Sequence, residues 1–136
     1  MLGRMTPAPQ LSRNHFSCPV EVSLAILGGK WKTVILAHLK EGPRRYGELR
    51  ARIPSLADKV LNQRLRDLEA QGLVSRRKAG RRGSPSTYEL TRRGRSLGGV
   101  LQALYDWGEE AAPSLGVTID APGSSVLVRR QDEPDR

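Results

Sequence analysis

The chain has 136 residues and a formal net charge of +9, enough length for one domain with a real core. A single cysteine, Cys18, excludes an intrachain disulfide framework and fits a reducing cytoplasm; with only two histidines, His15 and His38, it argues against a zinc site. No apolar run approaches the roughly 20 residues of a membrane helix, residues 1–10 lack the apolar stretch of a signal peptide, and no phosphate loop, nucleophile elbow or carboxylate pair points to an enzyme, so neither metal nor cofactor is expected.

The location of the charge says more than its total. Residues 44–95 hold 15 basic and 5 acidic residues, a local charge of +10, and the remainder of the chain carries −1. Charge spread for solubility would not concentrate in this way. Its density peaks in "RRKAGRRGSPSTYEL" at 76–90, where like charges repel as the chain compacts, so an external polyanion is the simplest partner.

Residues 1–15 and 113–136, rich in Pro, Gly and polar groups, are expected to be flexible tails around a folded unit at 16–112. Within it, Val20, Leu24 and Leu27 stand at helical spacing and Gly28-Gly29 closes the first helix. Trp31, Val34, Ile35, His38 and Leu39 mark a second, ended by Gly42-Pro43, and a short third holds Leu49 and Ile53 before Pro54. The fourth runs from about Ala57 to Gln71, with Leu61, Leu65 and Leu68 on one face and Gly72 as its stop. Residues 73–78 and 86–90 read as a hairpin around the basic turn. Thr91 then caps one long last helix, with Leu97, Val100, Leu101, Leu104 and Trp107 along a single face.

This order is a winged helix-turn-helix: mainly α with a small antiparallel β-hairpin (α+β). One helix fits the major groove, a second braces it, and the hairpin reaches the neighbouring backbone. Opposite the leucine stripe of the fourth helix lie Lys59, Asn62, Gln63 and Arg66, whose donors and acceptors suit base edges. Arg64 sits nearer the core border, where an internal acid is an equal partner. The wing candidates, Arg76, Arg77, Lys78, Arg81, Arg82 and Ser84, suit phosphate. Taken alone, such a helix face is more often merely solvated; the adjacent basic wing reverses the balance.

The stretches "CPVEVSLAILGGKW" at 18–31, "GPRRYGELRARIP" at 42–54, "DKVLNQRLRDLEAQGLV" at 58–74 and "YELTRRGRSLGGVLQALYDWGEE" at 88–110 resemble, in order, the HxlR-type family of bacterial winged-helix transcriptional regulators, related to the MarR-type regulators. The resemblance implies a homodimer on double-stranded operator DNA, and an oxidant or electrophile response through a cysteine where Cys18 stands. Any small-molecule inducer is unidentified, and no membrane partner is implied. Three departures stand out. Ala57 replaces a common serine, Tyr105 stands where some relatives carry a second cysteine, and Gly98-Gly99 replaces larger residues.

A symmetric pair would occupy inverted half-sites about 10 base pairs apart, or a multiple, with its seam at the terminal helices. Leu97, Leu101, Leu104 and Trp107 are the seam candidates. Cys18 precedes Pro19 at a helix start, where unpaired N–H groups and the helix dipole generally favour a reactive thiolate; burial would make it an inert packing residue instead. Trp31 and Trp107 read as core or interface rather than ligand-stacking groups, and His38 as a packed histidine rather than a switch. The rival reading is a basic RNA-binding or nucleoid protein without sequence preference. It would want aromatics interleaved with the charge, yet only Tyr46 and Tyr88 fall within 44–95.

Overall fold

The structure, a computed structural model, describes residues 14–78 and 86–119. In chain order it contains α1 (Pro19–Leu27), α2 (Lys30–Leu39), β1 (Arg44–Arg45), α3 (Tyr46–Arg52), α4 (Asp58–Ala70), β2 (Val74–Lys78), β3 (Ser86–Leu90), α5 (Arg92–Arg95) and α6 (Gly98–Leu115). The strands form one antiparallel sheet in the order β1-β3-β2. Arg44 and Arg45 face Tyr88 and Thr87, and Val74 to Lys78 run against Leu90 to Ser86. The expected winged helix-turn-helix is present, with a third strand added.

The core is built where apolar stripes meet. Leu61, Leu65 and Leu68 of α4 close onto Ile35, Leu36 and Leu39 of α2, with Leu49, Ile53 and Leu56 filling the turn region and Val74, Tyr88 and Leu90 contributed by the sheet. Burying each such side chain favours folding by about 1.5–3 kcal/mol. The end of α4 follows from its sequence. Gly72 takes φ +74, so the Leu73 amide reaches the Leu68 carbonyl at 3.0 Å and the Gly72 amide reaches Glu69 at 3.0 Å. Two carbonyls left over by the last turn are thereby satisfied, and buried Leu68 and Leu73 accompany the bend.

Four expectations are corrected. The single last helix is two: Thr91 does cap, its hydroxyl accepting from the Gly94 amide at 3.0 Å, but it caps α5, and the chain turns at Ser96-Leu97 before α6 begins. Ser96 favours that break by donating its hydroxyl to the Arg93 carbonyl at 2.6 Å, and Gly98-Gly99 offers little helical propensity to resist it. The second correction concerns the apolar face of that helix. Leu101 is 2% exposed and belongs to the core, whereas Val100, Leu104 and Trp107 are 46%, 53% and 69% exposed. At roughly 100° per residue these are two adjacent stripes rather than one. Third, α1 meets the core only through its last turn: Leu27 is buried, while Val20 and Leu24 of the same periodic set face outward. Fourth, α6 continues through Pro113 to Leu115, past the boundary expected at 112, and Gly116 closes it at φ +71. The remainder of the two tails, residues 1–13 and 120–136, lies outside the described residues.

His38 is the ionisable group most altered by folding. Burial, then the positive charges of Arg52 and Arg44, push its pKa down to about 4 from 6.5. Its Nδ1 is buried without a hydrogen-bond partner among the described residues, consistent with a neutral ring. The unfolded chain therefore binds a proton between pH 6.5 and about 4 that the folded chain does not, so this contribution to stability is complete above pH 6.5 and is lost as pH falls. Melting temperature should decline from pH 6.5 to 5 in the native chain and decline less in His38→Gln. Parallel curves for the two proteins would exclude His38 as the origin.

Candidate nucleic-acid interface

Helices α3 and α4 are joined by a short turn whose geometry is fixed by side chains from both. Arg50 donates to the Leu56 carbonyl at 2.5 Å and pairs with Asp58 at 3.1 Å. The Tyr46 hydroxyl donates to the Asp58 carboxylate and accepts from the Asn62 amide at 3.3 Å. Burial, then the bond to Asp58, pushes the Tyr46 phenol up to about 12, so it remains a donor. At the start of α3, the Arg45 amide donates to Glu48 at 2.7 Å and holds that carboxyl below its usual range. Ala57 is the N-cap of α4 and supplies no side-chain cap. The tie from Asp58 back to α3 holds the helix start in place of that cap.

Lys59, Asn62, Gln63 and Arg66 are all exposed. Lys59, Gln63 and Arg66 share a stripe roughly 180° from Leu61, Leu65 and Leu68, by the helical period of about 100° per residue. Asn62 sits at the edge of this stripe, donating to the Asp58 carbonyl at 3.2 Å as well as to Tyr46. Gln63 donates to Asp67 at 3.0 Å and accepts from Arg66 at 3.1 Å, while Arg64 pairs with Asp67 at 2.6 Å. Arg64 thus takes the internal acid, as its border position allows. These exposed bonds are individually worth about 1 kcal/mol or less, and a base edge can replace them.

Beside this face runs the basic strand β2. Arg76 pairs with Glu69 of α4 at 3.3 Å and Arg77 with Glu89 of β3 at 3.3 Å, so each is held at the wing root while remaining about half exposed or more. Lys78 is exposed. Arg81, Arg82 and Ser84 lie outside the described residues. Sequence reasoning missed Arg45. The register sets it against Thr87 of β3, and Arg77 faces the same threonine from the other edge. A two-residue strand has no periodicity to announce it; only the pairing reveals it.

At the other end of the domain, Cys18 is exposed and is the N-cap of α1 with Pro19 following, as expected. Of the seam candidates, Leu104 and Trp107 are exposed, Leu97 is partly buried against the core and Leu101 is wholly within it. Val20 and Leu24 of α1 and Val100 of α6 add exposed apolar surface on the terminal helices. Trp31 packs against the core, with the Lys30 ammonium 4.5 Å from its ring centre. Among the described residues no group of His, Cys, Asp and Glu is placed to hold a metal ion, and no helix is long and apolar enough to cross a membrane.

Comparison with known proteins agrees with this geometry. Residues 26–115 match the family described as HxlR-like helix-turn-helix. The chain is 41% identical over 98 residues to the HTH-type transcriptional regulator YtcD of Bacillus subtilis, covering 72% of this chain and 78% of that one. It is 45% identical over 93 residues to YkvN of the same organism, covering 68% and 79%. Among solved structures, the redox regulator HypR in its reduced form superposes with a TM-score of 0.69 at 35% identity, over 73% of this chain and 98% of that one. The reduced form of the transcriptional regulator YodB from B. subtilis gives 0.60 at 31%, over 70% and 94%.

Proposed function

The chain belongs to the HxlR-like helix-turn-helix family, whose relatives are transcriptional regulators, and from that premise we propose that it is a homodimeric regulator reading duplex operator DNA with α4. The observation that carries this reading is the exposed Lys59-Gln63-Arg66 stripe, set opposite the buried leucines and beside the cations of β2. Lys and Arg suit guanine edges and Gln and Asn suit adenine, while Arg76, Arg77, Lys78, Arg81 and Arg82 suit the flanking phosphates. The Tyr46-Asp58-Arg50 brace fixes α4 to α3, so the stripe is presented rigidly. Val20, Leu24, Val100, Leu104 and Trp107 form the seam that joins two such units.

Cys18 is the sensing residue of this reading. Its exposure, its helix-start position and the likeness to HypR and YodB support it. With one cysteine per chain, two Cys18 thiols from two subunits join as a disulfide, their two hydrogens passing to the azo group of diamide; alternatively one thiolate adds to an electrophilic quinone.

One gel experiment tests both parts. The purified protein, given equal lengths of duplex DNA, single strands and RNA, should retain the duplex; equal retention of RNA or single strands would favour the non-specific rival. Diamide added to the duplex arm should release DNA from the native protein and leave Cys18→Ser bound. If both proteins release the DNA, or both keep it, Cys18 is not the sensor.

A further inference from the structure

The C-terminal end of α4 is where the end of α1, the start of α2 and the start of α5 meet. Helix α1 ends at Gly28 with φ −54 and ψ 152, a conformation that folds no backbone amide back onto its last carbonyls, and its last turn contains no basic residue. Those carbonyls are instead met by side chains from elsewhere. Lys32 of α2 donates to the Ile26 carbonyl at 3.3 Å, and Thr33 donates to Leu27 at 3.4 Å. These two bonds meet the last two carbonyls of α1, and the first places a positive charge at the negative end of the α1 dipole.

A third group reaches a carbonyl that Lys32 already meets. Gln71, the C-cap residue of α4, donates its amide to the same Ile26 carbonyl at 3.3 Å and accepts from Lys32 at 3.2 Å. Lys32, Gln71 and the Ile26 carbonyl therefore form a closed, partly buried triangle spanning α1, α2 and α4. On the other side of the same helix end, the Thr91 hydroxyl donates to the Gly72 carbonyl at 2.6 Å and Arg93 to the Gln71 carbonyl at 3.5 Å. The chain segments leading to α6 and from α1 are thus both tied to the end of α4.

We infer that Lys32 and Gln71 are positioning residues for operator reading: they touch no DNA, and they set the pose of α4 relative to the terminal helices. This rests on the reading of α4 as the recognition helix. Gln71 lies eight residues beyond Gln63, about 12 Å along the helix axis, so the end of α4 works as a lever. A small tilt there displaces the stripe at the opposite end. A dimer on two half-sites must hold both stripes at one separation. Rigid coupling of each α4 to its α1 and α6 is the means by which the seam imposes that separation.

The test uses the full chain with Lys32→Met and Gln71→Met, which keep the side-chain length and remove the polar bonds. Binding is measured to an operator selected from random duplexes and to a scrambled duplex, with Gln63→Ala in parallel. Each clamp variant should bind the operator about tenfold more weakly, within the range of couplings carried by packed side chains, and the scrambled duplex within a factor of about two. The salt slope of binding should not change, because no phosphate contact is lost. Lys32→Arg retains the donors and should restore most of the discrimination. Equal losses on operator and scrambled duplex, or no loss on either, would overturn the assignment. If Gln63→Ala reduces discrimination and the clamp variants do not, the clamp alone fails. If none of the three reduces it, α4 is not the reading helix and the clamp assignment falls with it.

Discussion

Gly94→Ala is expected to destabilise the domain by at least about 3 kcal/mol, the upper end of ordinary overpacking. Gly94 is buried in α5, and a Cβ there would stand 2.1 Å from the Leu73 carbonyl oxygen and 3.2 Å from Leu90 Cδ2. The first of these neighbours is backbone and cannot rotate away. The same Leu73 oxygen accepts from the Thr91 amide at 3.0 Å, so moving α5 outward also breaks the bond that starts it. For a domain of this size about 3 kcal/mol lowers the melting temperature by roughly 12–24 °C. Gly99→Ala is the contrast. Its Cβ would meet nothing within 4 Å, and the exchange should leave stability unchanged or raise it by up to about 1 kcal/mol. Urea titrations of the two variants decide the matter, and a Gly94→Ala midpoint equal to that of the native chain would contradict the packing described.

The second large effect belongs to the terminal helices. Leu104 and Trp107 lie outside the core, so replacing both with Glu should leave the helical circular dichroism and the folded domain intact. It should convert the proposed dimer to a monomer, because two charges per subunit would face their symmetry mates in the proposed apolar seam. Operator affinity should then fall by roughly 100-fold or more, since two linked half-site contacts become two independent ones. Sedimentation and the operator titration read the two consequences separately. A variant that remains dimeric with native affinity would move the seam to another face.

Much of this was legible in the residues, and the gaps have physical causes. The leucine stripe of α4, the strand pair around the basic turn and the Gly72 stop rest on local periodicity and backbone preference, which a sequence displays directly. The break before α6 was not legible, because its local signals are weak: Ser96 and Gly98-Gly99 are compatible with a continuing helix until the Ser96 hydroxyl takes the Arg93 carbonyl. A run of apolar residues at helical spacing states that a face is covered without saying by what. Val20 and Leu24 therefore looked like core, and Leu101 looked like part of the Leu104 face, although the boundary between core and surface runs between the two. Arg45 gained its place only through the register of a two-residue strand. Gln71 was the least visible of all: a polar residue at a helix end reads as solvated until the Ile26 carbonyl, distant in sequence, is brought beside it.

The central claim is that α4 reads sequence through its exposed stripe, and Gln63→Ala tests it most directly. Gln63 is exposed, and its bonds to Asp67 and Arg66 lie on the helix surface, so truncation should leave folding intact. Affinity for a selected operator and for a random duplex of equal length should be measured at one salt concentration. The operator should be bound about 1–3 kcal/mol more weakly and the random duplex equally well as by the native protein. Equal weakening of both, or no weakening of the operator, would contradict the assignment of α4 as the helix that reads the bases.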